Sequence, residues 1–246
     1  CELRRVSEIC KGKRMRVAIL GAMPEEIEPL LSALRERGVS VEAVEHANNK
    51  FYAAKLNGHD LVIAYSKIGK VNSALTATVM IEKFGARALI FTGVAGALKH
   101  GIKIGEILYA TALVQHDLDI TAFGHPHGFV PGSKISVQTD AKLNSIAQSV
   151  AEQLGITLKS GIIASGDQFV GDEERKSWIE RTFDASAVEM EGASVAQVCD
   201  ALGVPFCILR AISDEAGHKA EFDFDEFMVK SAQTSANFVL KMIERL

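Results

Sequence analysis

The sequence predicts a three-layer α/β sandwich with helices on both faces of a central mixed sheet. Three observations carry that prediction. Short apolar runs of strand length alternate with segments of helical period along most of the chain. Two strand-like runs, Phe51–Leu56 and Leu61–Tyr65, flank Asn57-Gly58, a strong hairpin signal, so an antiparallel pair sits among the crossovers. No Pro/Gly/Ser-rich linker divides the 246 residues, which are enough for one domain with a large core.

The elements follow in order. Arg16–Leu20 reads as a short buried strand. Gly21 turns the chain, and Pro24 suits the first position of a helix. Ile27, Leu30, Leu31 and Leu34 recur at i, i+3, i+4 and i+7, giving one apolar stripe. Pro29 lies inside that pattern and predicts a kink. After the hairpin, a helix from Lys70 to Phe84 leads into a strand at Ala88–Phe91. Ile107–Leu113, Gly161–Ala164 and Phe206–Leu209 are further strands, and helices are expected near 140–154, 172–182, 190–202 and 223–245. There is no internal repeat. Residues 1–14, basic and without the apolar core of a secretion signal, are expected to be a disordered extension ahead of a single domain over 15–246.

Composition narrows the function classes. The formal net charge is −4 with no long basic run, which argues against nucleic acid as the main partner. No apolar run approaches the roughly 18 residues of a membrane span. The four cysteines, Cys1, Cys10, Cys199 and Cys207, form no Cys-x-x-Cys pair, and Cys199 and Cys207 fall in apolar patterns, so a reducing cytoplasm is the expected setting. His116, Asp117, Asp119, His125 and His127 cluster, but at no zinc-ligand spacing, so no metal is expected.

Two stretches carry the chemistry. Residues 187–194 read AVEMEGAS, with Glu189 and Glu191 flanking Met190. On a strand both acids would share one face, and acids entering a core need partners; a vicinal diol suits a carboxylate, which accepts two hydrogen bonds. The alternative is a solvated start to the following helix, where acids favour the positive end. Residues 205–217 read PFCILRAISDEAG, an apolar run ending in Arg210, Ser213 and Asp214. Polar groups at the carboxyl end of a buried strand mark the usual ligand site of an α/β sheet.

Together these stretches resemble the 5′-methylthioadenosine/S-adenosylhomocysteine nucleosidases of the nucleoside phosphorylase superfamily. GAMPEE at 21–26, SKIGKV at 66–71, TGVAG at 92–96, SGDQFV at 165–170 and FDEF at 224–227 fit the same family in family order, from Met15 to the C-terminus. The resemblance implies a nucleoside phosphorylase-like fold, a homodimer, no cofactor, and hydrolysis of the N-glycosidic bond between adenine and a 5′-modified ribose. Such a reaction needs an acid at the base, a carboxylate near the water and a clamp on the sugar. Asp214 is the candidate acid toward adenine N7, oriented by Ser213; an ordinary Asp is ionised at neutral pH, and a partly apolar setting would raise its pKa. Otherwise it is a turn or N-cap Asp.

Glu26 is the candidate for binding and activating water, with helix-dipole compensation as its bland alternative. A phosphate site wants amides and positive charge, so Glu25 and Glu26 in this turn favour water over phosphate. Glu191 is the candidate ribose clamp, with Met190 against the sugar, Glu189 beside it, and Arg210 neutralising the acids or forming a structural ion pair. Phe169 is placed to stack on adenine, and the Val170 backbone to read the purine edge. Met23, Ile68 and Phe224 are assigned to the 5′-thioalkyl end, and Val94, Ala95 and Gly96 bring backbone to the ligand. Phe123, His125 and Pro131 fall in a loop that relatives use to close the neighbouring subunit's site. Valine at position 94, where some relatives of the family carry serine, and the QHDLD stretch at 115–119 lean toward the subtype that also cleaves 6-amino-6-deoxyfutalosine. The rival readings are a phosphorolytic purine nucleoside phosphorylase and a non-catalytic nucleoside-binding domain on the same fold.

Overall fold

The computed structural model describes residues 15–214, the backbone of 220–230 and all of 231–246. Expectations for residues 1–14 and for the Phe224 side chain fall outside these residues. The chain runs β1 (Arg16–Gly21), α1 (Pro24–Glu36), β2 (Glu42–His46), β3 (Asn49–Leu56), β4 (His59–Tyr65), α2 (Lys70–Glu82), β5 (Ala88–Ala97), β6 (Ile107–Gln115), β7 (Ser136–Gln138), α3 (Ala141–Leu154), β8 (Leu158–Ser165), α4 (Glu173–Phe183), β9 (Ala185–Glu189), α5 (Gly192–Leu202), β10 (Phe206–Asp214) and α6 (Ala220–Ile243).

The sheet is mixed, as predicted. β1 pairs in parallel with β4 and β5, while β2–β3–β4 form an antiparallel meander. The strand path is β10-β6-β8-β9-β5-β1-β4-β3-β2, and β10 also pairs with β5. That extra pairing closes five strands, β5, β10, β6, β8 and β9, into a ring, a feature strand periodicity does not reveal.

Alternation along the strands sorts the two cores. Val17 and Ile19 of β1 pack with the α1 stripe and with Leu143 and Phe238 of α3 and α6. Ala18 and Leu20 face the other way, onto Ala77 and Met80 of α2 and Val195 and Cys199 of α5. Burying the stripe Ile27, Leu30, Leu31 and Leu34, each at most 1% exposed, contributes on the order of 6–12 kcal/mol before entropy is counted.

The helix expected to kink at Pro29 continues through that residue as one element. The Asn57-Gly58 hairpin forms, with both residues at positive φ (51° and 83°) as a type I′ turn requires. Ala47 and Asn48 repeat that geometry at φ 49° and 55° and build a second hairpin, β2–β3, which the sequence reading lacks. β2 (EAVEH) is a polar edge strand with no buried face, so its hydrophobic pattern is silent. Three strands run further than their apolar cores suggest: β1 to Gly21, β5 to Ala97 and β10 to Asp214. These carboxyl-terminal extensions, glycine-containing in β1 and β5 and polar in β10, lead to the candidate site.

Candidate active site

A cavity of about 400 Å³ opens at the carboxyl ends of β1, β5, β9 and β10. It is lined by Ala22, Met23, Glu26, Ile68, Val94, Ala95, Gly96, Gln168, Phe169, Val170, Val188, Glu189, Met190, Glu191, Ser213 and Asp214. Thirteen of these are residues singled out from sequence; Ala22, Gln168 and Val188 are additions. A larger groove of about 730 Å³ runs along β3 and β4. Its lining has two acids, Glu42 and the ion-paired Asp60, whereas four acids, Glu26, Glu189, Glu191 and Asp214, line the smaller cavity, which is therefore the candidate site.

Glu26 comes from the third position of α1. The β1–α1 turn folds back so that its carboxylate accepts from three backbone amides: Ala22 and Met23 at 2.5 and 3.0 Å on Oε2, and Val94 at 3.0 Å on Oε1. Glu25, its neighbour, points to solvent, so the turn delivers one acid to the cavity where the sequence suggested two. Burial pushes the Glu26 carboxyl above its usual range, against the pull of Arg210 and the three amides. Gly93 is required beneath it, since a Cβ there would meet Glu26 Oε1 at 2.6 Å and an Arg210 guanidinium nitrogen at 2.9 Å.

The acid pair 189/191 behaves differently from both readings of the sequence. β9 ends at Glu189, and Glu191 is already the N-cap position of α5, so the two do not share a strand face. Nor are they solvated: Glu189 is 7% and Glu191 5% exposed. Glu189 spends both oxygens on the protein. It pairs with Arg210 at 2.5 Å and accepts from the Ser165 hydroxyl and from the amides of Glu191 and Gly192. Glu191 accepts only from the Gly69 amide, at 2.9 Å, among the described residues. Burial first, and the Glu189 charge second, push the Glu191 carboxyl up to about 8.

Arg210 is 1% exposed and lies over the Phe91 ring at 4.0 Å. It does not line the cavity; it holds Glu189, so its structural alternative describes its contacts.

Asp214 ends β10, 4% exposed, and accepts from the Ser213 hydroxyl at 2.8 Å. The β10–β5 register shifts between Ile212 and Asp214, so Ser213 and Asp214 together oppose Gly96. Such a bulge re-aims side chains beside active sites.

Phe169 is 50% exposed and Ile68 52%, both on the cavity wall, while Val170 is buried there. Phe123, His125 and Pro131 do not reach this cavity: all three are exposed, and His125 stacks on Phe129 at 4.5 Å. Among the described residues no cluster of His, Cys, Asp and Glu could hold a metal ion, and no helix is long and apolar enough to cross a membrane.

The family model described as the phosphorylase superfamily matches residues 16–244. This chain belongs to that superfamily. Its sheet, with helices on both sides, is the nucleoside phosphorylase-like fold. Among its relatives, the aminodeoxyfutalosine nucleosidase of Campylobacter jejuni is 63% identical over 94% of this chain and 100% of that protein. The crystal structure of the C. jejuni 5′-methylthioadenosine/S-adenosyl homocysteine nucleosidase superposes with a TM-score of 0.90 at 63% identity, covering 94% of this chain and 100% of that one. The Helicobacter pylori 5′-methylthioadenosine/S-adenosyl homocysteine nucleosidase, solved with a pyrrolopyrimidine–pyrrolidine ligand, gives a TM-score of 0.91 at 50% identity over 94% of this chain and 99% of that one. A futalosine hydrolase of Helicobacter pylori strain 26695 shares the fold, with a TM-score of 0.92 at 50% identity over 94% of this chain and 98% of that one, so hydrolysis against phosphorolysis turns on the site.

Proposed function

We infer that this chain is an N-glycosyl hydrolase that releases adenine from 5′-modified adenosines: methylthioadenosine, adenosylhomocysteine and 6-amino-6-deoxyfutalosine. The observation that carries the hydrolytic reading is the seat of Glu26. The amides of Ala22, Met23 and Val94 are the donors an oxyanion such as phosphate would use, and the Glu26 carboxylate already fills them. A bound phosphate would have to displace a buried negative charge. Water does not.

The roles follow from the donors each acid has. A carboxylate has about four lone-pair positions, and Glu26 uses three, leaving one toward a water proton. Burial shifts its pKa upward, which makes the carboxylate a stronger base than an exposed one. Asp214, oriented by Ser213, donates its proton to N7 as the C1′–N9 pair withdraws into the purine. Water oxygen then bonds to C1′ from the opposite face and its proton passes to Glu26. Glu191 clamps the ribose diol, because Glu189 has no oxygen to spare, and Met190 packs against the sugar. Phe169 stacks on adenine, worth roughly 1–3 kcal/mol, and Val170 reads its edge. Met23 and Ile68 border the 5′ substituent.

The protein acts as a homodimer in the cytoplasm on this reading. Ile68, Val71 and Leu75 expose an apolar face beside the site at 52, 78 and 51%, which suits a second copy bringing Phe123, His125 and Pro131 to the 5′ end. No cofactor takes part in the mechanism.

The test is product analysis by phosphorus NMR with excess inorganic phosphate. Free sugar, with no sugar-1-phosphate, is expected from the wild type. A sugar-1-phosphate signal tracking adenine release would overturn the hydrolase reading and favour phosphorolysis. Tight nucleoside binding without any adenine release would favour the binding-domain reading.

A further inference from the structure

Lysine at the first position of a helix has the wrong sign for the helix dipole. Lys70 occupies that position in α2, which has no acid in its first turn and no side-chain N-cap. Two carboxylates from distant elements converge on it instead. Lys70 Nζ pairs with Asp117 at 2.7 Å, both side chains 15% exposed, and donates to Gln115 at 3.0 Å. The Lys70 amide donates to Asp167 Oδ1 at 2.7 Å, and the Asp167 amide donates to the second oxygen of Asp117 at 2.8 Å. The triangle closes on itself: Asp117 holds Asp167 and the Lys70 ammonium, and Asp167 holds the Lys70 backbone.

What it holds in place is the turn before α2. Gly69 stands at φ 98°, a conformation open to glycine, and a Cβ there would meet Asp167 Oδ1 at 3.0 Å. Lys67 is also left-handed at φ 73°, where a non-glycine residue persists only if its surroundings over-determine it. The product of this geometry is the Gly69 amide aimed at Glu191 Oε1, the one donor to that carboxyl among the described residues. The other end of the triangle, Asp167, precedes Gln168, Phe169 and Val170 on the cavity wall.

We propose that Lys70, Asp117 and Asp167 form a positioning cluster that sets the Gly69 amide against Glu191 and so aligns the ribose clamp with the adenine wall. This rests on the reading of Glu191 as the clamp. None of the three touches the reacting atoms; they act through Gly69. Removing the Lys70–Asp117 pair lets the strained turn relax and leaves Glu191 without its fixed orientation.

The experiment uses the full chain and a non-reacting probe, 7-deaza-5′-methylthioadenosine, which has no N7 to protonate, with its 2′,3′-dideoxy form as control. Dissociation constants are measured by calorimetry for wild type, Asp117→Asn, Glu191→Gln and the double variant. Outer-shell partners that orient metal ligands are typically worth about 10–100-fold, and the same range is the expectation for this cluster. Asp117→Asn should weaken the diol-bearing probe by about that factor, and the dideoxy probe roughly tenfold less. In the Glu191→Gln background the Asp117→Asn effect should shrink to under about threefold, the non-additivity of groups acting as one unit. Equal losses on both probes, or a full Asp117→Asn effect in the Glu191→Gln background, would overturn the proposal. A Glu191→Gln single variant with wild-type affinity for the diol would instead overturn the clamp reading. Should Asp117→Asn not fold, Lys70→Gln breaks the same pair from the other side and is read by the same two comparisons.

Discussion

Replacing Glu191 with Gln should weaken function and strengthen the fold at alkaline pH, and the size of the second effect follows from the buried acids. In the folded chain the Glu191 carboxyl holds its proton up to about 8, against an ordinary value of 4.5, because burial and the Glu189 charge disfavour the anion. Between those two pH values the folded state binds more protons than the unfolded state. Stability therefore falls as pH rises through that window. At about 1.4 kcal/mol per pH unit the interval sets an upper limit of roughly 5 kcal/mol. Glu26, Glu189 and Arg210 share the same field, so about 1–3 kcal/mol is the share expected to disappear with the Glu191 charge. For a chain of this size that is about 2–12 °C in Tm.

The assay is thermal unfolding of wild type and Glu191→Gln at pH 5, 7 and 9. The amide can still accept from Gly69, and any cost of burying its NH2 group is independent of pH, so it cancels in the comparison. Tm of the wild type should drop further than that of the variant between pH 5 and 9. Glu26, itself shifted upward by burial, keeps a residual slope in both proteins. A gap between the two that stays constant across the range would refute the reasoning.

Three further outcomes are expected. Asp214→Asn should lower adenine release about 10²–10⁴-fold while the 7-deaza probe still binds, and a loss under tenfold would remove Asp214 from the acid role. Glu26→Gln should stop hydrolysis without creating phosphorolysis, measured by adenine release with and without phosphate; a near-normal rate would move water activation elsewhere. Glu189→Ala should act on the fold first: it strands the buried Arg210 charge, at about 3–5 kcal/mol, so calorimetric Tm should fall by roughly 6–20 °C. A Glu189→Ala protein with native Tm and no activity would show that Glu189 is more than Arg210's partner.

The site was more legible in the sequence than the sheet. Glu26, Asp214 and the wall from Phe169 to Glu191 fall in motifs whose order is itself the signal, and the structure brings them to one cavity. The ring closed by the β10–β5 pairing left no trace, because which buried strands are neighbours is a tertiary choice among equally apolar runs. β2 was missed because an edge strand with both faces wet carries no period-two pattern. The strand reading of 187–191 failed for a local reason. Met190 breaks the extension, and Gly192 starts a helix whose first amide binds Glu189, so two acids two residues apart serve on two elements. Gly69 and Lys70 fall in the SKIGKV motif and Asp117 in the QHDLD stretch, but neither motif shows that the two meet; the one physical signal was a lysine where a helix start favours an acid.

Donor count sorts these acids better than residue type does. Glu26, Glu189 and Glu191 are all buried on the cavity wall, and each meets a different environment. Glu189 has a guanidinium, a hydroxyl and two amides, so it is an ion-pair partner with nothing left for a ligand. Glu26 has three amides, enough to hold it rigid and few enough to leave one lone pair for water. Glu191 has one among the described residues, the fewest of the three, and burial pushes its carboxyl up to about 8. A buried acid left short of donors is a cost to the fold. That cost falls if a ligand brings the missing donors, which is what two ribose hydroxyls do. The same shortage that makes Glu191 destabilising at high pH therefore makes it the carboxylate with most to gain from substrate.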